Sequence, residues 1–465
     1  MLPFHLRVLL VLFISFLPAY GWSQAVAEKL NAAYKKFAND PQLRNATLSL
    51  YVVDATTGKI VLDKNGRVGM VPASTQKVIT SVSAYELLGK NFQFQTQFAL
   101  SKNKEEGRLL IVPSGDPTLG SWRWAGTSEQ AIIKKVSQAI QKEAAAPIRE
   151  VRVDTQGWEG EAIPDGWVWQ DIGNYYGAGS FKLNWHENQF DVFLKSGKNL
   201  GNPVSIASIQ PALYGYSLHS ELIAAAPGTG DKAFIYFPLN APAGVIRGTI
   251  PINQSNFKIS GALPQPMHQF IRSLLDSLGK EGGKTPKNVP IKSTTHTSAA
   301  DYAPLCAVVS PPLDSIIFWL NRKSINLYSE ALVKSLAYKN KKVASTESGL
   351  EIIRNYWKQR NIPESELNMV DGSGLSPLNR ITAHAQVSIL QHALQQTWFK
   401  SFYASLPQLN NMKMKSGTIH GVKGFCGYHT SSNKHQYVFS FLVNNYNGSS
   451  PEVVQKMYNV LNCLK

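Results

Sequence analysis

The segment Val71–Thr80, VPASTQKVIT, decides how this sequence is interpreted, because it places a hydroxyl group and an amine three residues apart. Residues at positions i and i+3 of a helix lie on the same face, so the side chains of Ser74 and Lys77 can meet. The spacing alone is weak evidence, since it recurs at Ser101 and Lys104, Ser277 and Lys280, and Ser431 and Lys434. Other parts of the chain must therefore support a catalytic role.

A serine–lysine pair needs several further groups before it can act. A serine hydroxyl is a poor nucleophile at neutral pH and requires an adjacent base. A lysine serves as that base only when desolvation or a second cation lowers its pKa. The hypothesis therefore demands another lysine, a hydroxyl group that passes on the proton, and hydrogen-bond donors for an oxyanion.

Two later segments supply these groups. The segment SIN at 324–326 lies between two stretches with helical periodicity, and the segment KSGT at 415–418 precedes a strand-like run. Similar triplets occur at 101–103 (SKN) and 195–197 (KSG). The latter is followed by bulky Lys198, where close approach of a substrate backbone favours a small residue. These copies also occur in an order that fits no single site.

The composition indicates a folded protein with an anionic environment. At 465 residues, with 43% hydrophobic and 17% charged residues, the chain is long enough for two or three domains. Its net charge of +16 suggests a cell-wall polymer, lipopolysaccharide or acidic peptide ends as surroundings, and a solvated basic surface without a partner is the alternative. No nucleic acid is expected, because no dense basic run is interleaved with aromatic residues.

Three cysteines are too few for a disulfide framework or a zinc site.

The first 25 residues have the features of a secretory signal peptide. They combine a weakly basic start, a short apolar core at 8–17 and a small-x-small cleavage site at 23–25. The apolar core is short for a transmembrane helix, and an uncleaved anchor is the alternative. We therefore expect an exported, for example periplasmic, protein with no firm membrane partner.

The element pattern predicts a split domain. Residues 26–90 and 296–465 are expected to form one antiparallel sheet covered by helices. Two strand-like runs, LSLYVV and KIVL, form a hairpin around the turn DATTG, and the helix that follows carries the serine near its first turn. Residues 91–295 alternate short β-like runs with Gly, Pro and Asn turns, which predicts a mostly-β insert of two subdomains. The expected fold class is α/β (α+β).

Six stretches of the chain match the pattern of one enzyme family. PASTQK, KSINLYSE and KSGTIHG correspond to the S-x-x-K, S-D-N and K-T-G motifs of penicillin-binding proteins. Further similar stretches are SGDPTLG at 114–120, WVWQDIGNYYGAGSFKLNWHEN at 167–188 and DGSGLSPLN at 371–379. On these residues the sequence resembles the D-alanyl-D-alanine carboxypeptidase/endopeptidases, the class C low-molecular-mass penicillin-binding proteins. The resemblance covers about residues 45 to 445 and implies a penicillin-binding transpeptidase-like domain with a large insert.

The resemblance implies a catalytic role for five residues. Ser74 attacks the D-Ala-D-Ala carbonyl or the β-lactam, and Lys77 accepts its proton. Ser324 relays that proton to the leaving amine, and Asn326 holds Lys77 and the substrate amide. Lys415 keeps the site positive, depresses the pKa of Lys77 and receives the terminal carboxylate of the substrate.

The same resemblance implies a set of oxyanion- and carboxylate-binding residues. The backbone N–H groups of Ser74 and Thr418 form the oxyanion hole, and the hydroxyl groups of Ser416 and Thr418 bind the carboxylate. Gly417 lies between these two hydroxyl residues and completes the set. No metal and no cofactor are required.

Asp171 and Trp167 are predicted substrate-binding residues. Asp171 stands between Trp167, Trp169 and the pair Tyr175-Tyr176, in a region that members of the family place beside the serine. A carboxylate flanked by aromatic rings suits the side-chain ammonium of diaminopimelate or lysine in a stem peptide. The alternative is that Asp171 caps a turn and that the aromatic residues belong to the core.

The motifs together predict a serine-type D-Ala-D-Ala carboxypeptidase/endopeptidase. It would act on peptidoglycan stem peptides through an acyl-enzyme, and β-lactam antibiotics would acylate it. One alternative is a β-lactamase on the same fold, against which the long insert and the lack of a recognisable deacylating Glu motif count. A second is a catalytically inactive wall-binding protein, against which the intact motifs count.

Overall fold

The computed structural model describes residues 25–158, 161–238, 241–280, 288–296 and 298–465. The predicted signal peptide falls almost entirely on residues 1–24, which lie outside these ranges. Within the ranges, no helix has both the length and the apolar character that are needed to cross a membrane. The three cysteines are all free thiols.

The helices follow from amphipathic patterns and side-chain caps. In the first one, buried Leu30, Tyr34 and Phe37 recur at helical spacing. Thr382 caps a later one by accepting a hydrogen bond from the backbone N–H of Ala385, at 2.9 Å. The α-helices of the described residues are α1 (25–38), α2 (Lys77–Leu88), α3 (Glu129–Glu143), α4 (Trp169–Ile172), α5 (Pro266–Lys280), α6 (Leu313–Lys323), α7 (Asn326–Lys341), α8 (Thr346–Lys358), α9 (Ala383–Leu394), α10 (Phe399–Ser405) and α11 (Ser450–Leu461).

The strands are distributed over the whole described chain. They are β1 (Thr47–Asp54), β2 (Ile60–Lys64), β3 (Gln95–Ser101), β4 (Arg108–Val112), β5 (Glu150–Asp154), β6 (Gln189–Lys195), β7 (Ser205–Gln210), β8 (Ser217–Ser220), β9 (Ile223–Ala225), β10 (Lys232–Tyr236), β11 (Ala243–Pro251), β12 (Phe257–Ala262), β13 (Ile291–Thr294), β14 (Tyr302–Val309), β15 (Leu367–Asn368), β16 (Arg380–Ile381), β17 (Gln408–Leu409), β18 (Met412–Ile419), β19 (Val422–Thr430) and β20 (Gln436–Asn444).

The chain divides into two compact units. The described part of unit 1 consists of residues 25–82, Arg354–Met369 and Pro377–Lys465. Unit 2 consists of Ser83–Ile353 and Val370–Ser376. Both units are therefore assembled from segments that are distant in the sequence. The predicted domain bounds at 90 and 296 stay a prediction.

Unit 1 is built on a six-stranded antiparallel sheet with the strand order β17-β18-β19-β20-β1-β2. Strand β1 pairs with β20 so that Leu50 faces Phe441 and Val53 faces Val438. Helices α1 and α11 share the core on one face of the sheet, and α9 contacts β1, β19 and β20. Strands β1 and β20 are consequently buried along nearly all their length.

The described residues of unit 2 form three sheets. A five-stranded mixed sheet has the order β13-β5-β4-β3-β14, and its core includes residues of helices α3 and α5. The sheet β12-β6-β7 and the sheet of β8 to β11 share a second core, centred on fully buried Phe190, Val192 and Ile246. Helices α6 and α7 follow β14 in the chain and carry the second predicted motif between them.

Candidate active site

Ser74 lies in a short 3₁₀ turn, Ala73–Gln76, that leads directly into α2. The backbone of Ala73 has a φ of 47°, in the left-handed region that residues other than glycine rarely adopt. Such strain persists only where the surrounding structure holds the backbone in place, and it is frequent at functional sites. Lys77 is fully buried, and its Nζ atom donates a hydrogen bond to the Oγ atom of half-buried Ser74 at 2.9 Å. The structure thus brings the first two predicted residues into contact.

A chain of buried polar groups holds this turn against the sheet. The hydroxyl group of Thr75 donates to the carbonyl oxygen of Pro72, at 2.6 Å. The side-chain amide of Gln386 on α9 donates to the Thr75 hydroxyl at 2.9 Å and accepts from the hydroxyl of Ser440 on β20 at 2.6 Å. Because all these polar atoms are paired away from water, displacing the turn would leave them unsatisfied. The network therefore fixes the position of the neighbouring Ser74.

Lys415 is the second buried lysine of unit 1. It belongs to β18, so the KSGT segment lies within a strand and not before one. Lys415 is 2% exposed and stands opposite Cys426 of β19, and its Nζ atom donates to the carbonyl oxygen of Ser416 at 2.8 Å. Burial lowers the pKa of the Lys415 ammonium to about 7. The charge of this group is therefore sensitive to pH near neutrality and to any bound anion.

Gly417 allows strand β18 to approach the turn of the serine. A Cβ atom at position 417 would lie 2.6 Å from the carbonyl oxygen of Pro72 and 2.9 Å from the backbone nitrogens of Ser74 and Thr75. Gly424, the partner of Gly417 in the sheet, is also close, with its hypothetical Cβ atom 3.1 Å from Thr75 Cγ2. Two facing glycines thus leave room for backbone against backbone.

Ser416 is half-buried and Thr418 is exposed. Lys423, which the sequence analysis missed, lies next to them. Its Nζ atom donates to the Thr418 hydroxyl at 2.6 Å, and burial lowers the pKa of Lys423. The tight turn around Gly421, where φ is 66°, pairs residue 418 with residue 423 across the hairpin. The segment TIHGVK could have revealed this pairing, because a glycine between two strand-like runs is a hairpin signal. Lys423 is a further candidate for binding a carboxylate.

The second motif lies in unit 2, at the junction of two helices. Ser324 ends α6 in a left-handed conformation with a φ of 58°, and Asn326 begins α7. Asn326 is 7% exposed, and its side-chain amide donates to the carbonyl oxygen of Tyr176 at 2.6 Å. This hydrogen bond holds Asn326 at the first position of α7.

Helix α7 also binds the segments around it. The Nζ atom of buried Lys334 donates to the carbonyl oxygens of Glu161 and Ser180, at 2.8 and 3.0 Å. The carboxylate of buried Glu330 accepts the backbone N–H of Gly372 with both oxygens, at 3.1 and 2.9 Å. Burial lowers the pKa of Lys334 to about 8. The helix that begins with the second motif therefore holds the segment 161–180 and the DGSGLSPLN turn.

Trp167 contacts the DGSGLSPLN turn. Its indole N–H donates to the Asp371 carboxylate at 2.9 Å, and the ring is only 8% exposed. Asp371 also accepts from the backbone N–H groups of Gly374 and Ser376, both at 2.7 Å. In this structure Trp167 is thus a support for the turn, and its contact with substrate stays a prediction.

Asp171 lies on the short helix α4 and is half-buried. The hydroxyl group of Tyr176 donates to its carboxylate at 3.3 Å, and burial raises the pKa of Asp171. Trp169 and Tyr175 remain 55% and 54% exposed. The backbone carbonyl of Tyr176 also accepts the hydrogen bond from Asn326. Tyr176 therefore contacts both Asn326 and Asp171, two of the predicted site residues.

The predicted residues are thus distributed over both units. Unit 1 holds the serine–lysine pair and the KSGT strand, and unit 2 holds Ser324, Asn326, Trp167 and Asp171. Within unit 1, the Ser74 hydroxyl accepts a hydrogen bond from the Lys77 amine, and the neighbouring strands β18 and β19 carry two further lysines, Lys415 and Lys423. This arrangement suits acyl transfer to a serine by lysine-assisted proton removal.

Comparison with known proteins agrees with this chemistry. The sequence matches the D-Ala-D-Ala carboxypeptidase 3 (S13) family over residues 30–409. It is 25% identical to a D-alanyl-D-alanine carboxypeptidase of Actinomadura sp. (strain R39), with 90% of this chain and 81% of the relative covered. It is 24% identical to the D-alanyl-D-alanine carboxypeptidase DacB of Haemophilus influenzae, with 83% of each chain covered.

The fold is also similar to a solved structure. Penicillin binding protein 4 from Haemophilus influenzae superposes with a TM-score of 0.77 at 20% identity, and 92% of this chain and 98% of the other are covered. This likeness confirms the predicted fold class. The predicted enzyme class, a serine-type D-Ala-D-Ala carboxypeptidase, is confirmed by the family match. The chain belongs to the D-Ala-D-Ala carboxypeptidase 3 (S13) family.

Proposed function

We propose that this protein is an exported peptidase that acts on peptidoglycan through an acyl-enzyme on Ser74. It cleaves the D-Ala-D-Ala bond at free ends of stem peptides, and in cross-bridges it cleaves the amide bond between a D-Ala carbonyl and the side-chain amine of the neighbouring stem peptide. The hydrogen bond between Lys77 Nζ and Ser74 Oγ, at 2.9 Å, carries the proposal. A base in contact with the hydroxyl is what a serine nucleophile requires. Membership of the S13 family supports the choice of bond.

In the first step, Ser74 Oγ attacks the carbonyl carbon of the penultimate D-Ala. An oxygen–carbon bond forms, and the hydroxyl proton passes to the amine of Lys77. The carbonyl oxygen becomes an oxyanion, which the backbone N–H groups of Ser74 and Thr418 stabilise. The absence of a side chain at Gly417 supports this role, because it allows the strand and the turn to lie close together.

In the second step, the carbon–nitrogen bond of the tetrahedral intermediate breaks. The leaving amine takes up the proton from Lys77, which Ser324 relays, while Asn326 orients the substrate amide. The terminal D-Ala departs and leaves an ester on Ser74. Water then hydrolyses this ester, which releases the shortened peptide and restores the serine hydroxyl.

The terminal carboxylate of the substrate is bound by residues of the β18–β19 hairpin. Burial lowers the pKa of Lys415 to about 7, and an adjacent carboxylate favours its protonated form. Lys423 on the neighbouring strand β19 adds a second cation, and the hydroxyl groups of Ser416 and Thr418 on β18 add neutral donors. Such charge-assisted contacts select a peptide with a free terminal carboxylate.

β-Lactams would enter the same reaction. Their strained cyclic amide presents a carbonyl carbon and a nearby carboxylate, so Ser74 can attack it in the same way. The amine released by ring opening stays attached to the acyl group, which keeps the ester in place. The Haemophilus influenzae protein of similar fold has been solved in complex with a β-lactam, which supports this proposal.

Labelling with a fluorescent penicillin tests the function. The wild-type protein should give a stable covalent band and release D-Ala from a stem-peptide analogue, and Ser74→Ala should do neither while keeping its circular dichroism spectrum. Rapid loss of the band would indicate a β-lactamase instead. No band and no D-Ala from the wild-type protein would indicate an inactive wall-binding protein.

A further inference from the structure

A groove of about 780 Å³ in unit 2 has no role in the reaction described above. It is lined by residues of α3 and α5 and by the segment that precedes α3. Trp122 and His186 both line it, with their ring centroids 4.9 Å apart. Trp122 nevertheless stays 47% exposed, which is unusual for so large an apolar side chain.

The exposed ring of Trp122 lies beside a partly buried ion pair. The guanidinium of Arg123 lies 5.5 Å from the centre of the Trp122 ring and donates two hydrogen bonds, at 2.8 and 3.1 Å, to the carboxylate of Glu187. Glu187 also accepts from the hydroxyl groups of Ser121 and Tyr328, at 2.6 and 2.7 Å. Both chain neighbours of Trp122 are thus fixed on one buried carboxylate. The backbone on both sides of the indole is therefore held in place before any ligand binds, although the ring itself is not buried.

The remaining lining is polar and close to neutral. Gln130, Gln138 and Ser273 present amide and hydroxyl groups, and Glu129 and Lys134 contribute one charge of each sign. In a chain with a net charge of +16, a groove without basic excess does not suit an anionic polymer. Amide and hydroxyl groups beside an aromatic surface suit a neutral ligand that has many hydroxyl groups and an apolar face.

We propose that this groove binds the glycan strand of peptidoglycan, with a sugar ring stacked on Trp122 and its hydroxyl and acetamido groups hydrogen-bonded to the glutamine side chains. The volume lies within the roughly 300–1,000 Å³ that is usual for small-molecule sites. The proposal deepens the proposed function and rests on it, because it assigns a site to the saccharide part of the same polymer. Holding the glycan would raise the effective concentration of the attached stem peptides.

Binding of peptide-free glycan tests the proposal directly. The probes are glycan strands stripped of stem peptides by an amidase and a tetramer of N-acetylglucosamine, titrated calorimetrically into the full chain. We expect Trp122→Ala to weaken binding at least tenfold, Gln138→Ala to weaken it several-fold, and Trp122→Phe to retain part of it. Lys142→Ala, on the same helix and with its side chain 83% exposed, should bind as the wild-type protein does. No measurable binding by the wild-type protein, or wild-type binding by Trp122→Ala, overturns the proposal.

Activity measurements separate this proposal from the proposed function. Trp122→Ala should release D-Ala from a short peptide at the wild-type rate but should digest intact sacculi more slowly. Equal loss on both substrates, with an unchanged unfolding curve, would overturn the glycan site. Glycan binding by a wild-type protein that neither hydrolyses peptide nor reacts with penicillin would support the groove and refute the peptidase.

Discussion

Gly417 approaches Ser74 so closely that a Cβ atom at position 417 would lie 2.9 Å from the Ser74 backbone nitrogen. Real Cβ atoms essentially never come so near to another heavy atom, and the neighbouring atom is backbone that cannot rotate away. Any side chain at this position must therefore separate strand β18 from the turn of the serine.

Gly417→Ala should reduce the rate of acylation by penicillin by ~10²-fold, because displacements of about 1 Å have effects of this size on reacting groups. The rate of fluorescent penicillin labelling measures the change. Gly279→Ala is the matched control, since a Cβ atom there meets nothing within 4 Å, and it should react as the wild-type protein does. Unchanged labelling of Gly417→Ala would contradict the proposed closeness of strand and nucleophile.

Lys77→Met should lower the acylation rate by ~10²–10⁴-fold, the usual contribution of a general base. Methionine retains most of the buried volume and removes the amine that contacts Ser74. Stopped-flow acylation measures the loss, and an unfolding curve checks that the variant is folded. Lys400→Met, at an exposed site of unit 1, should have no effect. A fully reactive Lys77→Met would assign the base elsewhere.

The activity on peptides with a free terminal carboxylate should fall as the pH rises through about 7, the pKa to which burial lowers Lys415. The lysine is charged below this pH and neutral above it, so the attraction for the carboxylate is present on the acid side and lost on the alkaline side. The pH profile of kcat/KM measures it. A peptide that ends in an amide should lack this alkaline decline. The same decline on both peptides would refute the carboxylate-binding role.

Asp171→Asn should lower kcat/KM for a peptide with a free side-chain ammonium by about 1–3 kcal/mol of transition-state binding, the scale of a charged hydrogen bond. Acylation by benzylpenicillin, which has no such ammonium, should hardly change. The half-buried carboxylate next to Tyr176 and the exposed rings of Trp169 and Tyr175 support the expectation. Equal losses would show a structural role, and no loss on either compound would place Asp171 outside the pocket.

Lys334→Met should destabilise the protein by about 1–3 kcal/mol, because it leaves the buried carbonyl oxygens of Glu161 and Ser180 without their donor. Urea unfolding at pH 7 measures the difference. The control is Lys339→Met, near the end of the same helix, whose Nζ atom donates to the carbonyl oxygen of Leu87 at 2.8 Å in an exposed position. Because water can replace this exposed donor, Lys339→Met should unfold like the wild-type protein. Equal stability of both variants would show that the Lys334 contacts contribute little.

Local patterns were sufficient to predict several elements of unit 1. The hairpin around DATTG corresponds to β1 and β2, and the helix after the serine ends at Leu88. Alternating or continuous apolar residues and a terminal glycine are short-range signals, so one sequence carries them. Ser74 itself lies in a 3₁₀ turn before that helix, and no periodicity distinguishes such a turn from a first helical turn.

Long-range contacts explain what the sequence did not reveal. Trp167 donates to Asp371, 204 positions away, and Gln386 donates to Thr75, 311 positions away. The sequence around Trp167 and around Gln386 gives no sign that either side chain is buried and hydrogen-bonded. Secondary-structure propensity also carries no information about hydrogen-bond partners that are hundreds of positions away. The sequence analysis also missed Lys423. Its contact with Thr418 depends on the register of the β18–β19 hairpin, which the sequence alone does not give.

The position of β1 between β2 and β20 determines when the sheet of unit 1 can be completed during synthesis and folding. The first hairpin leaves the ribosome long before β18, β19 and β20 are synthesised, and it has no sheet to join until they follow. Pairing between such distant segments is slow, and a lone hairpin edge is open to wrong partners in the meantime. The turn of Ser74 meets the strand of Lys415 only at the end of this process. Under the proposed function, a nascent or truncated chain that carries Ser74 therefore stays inactive until the strand of Lys415 is in place.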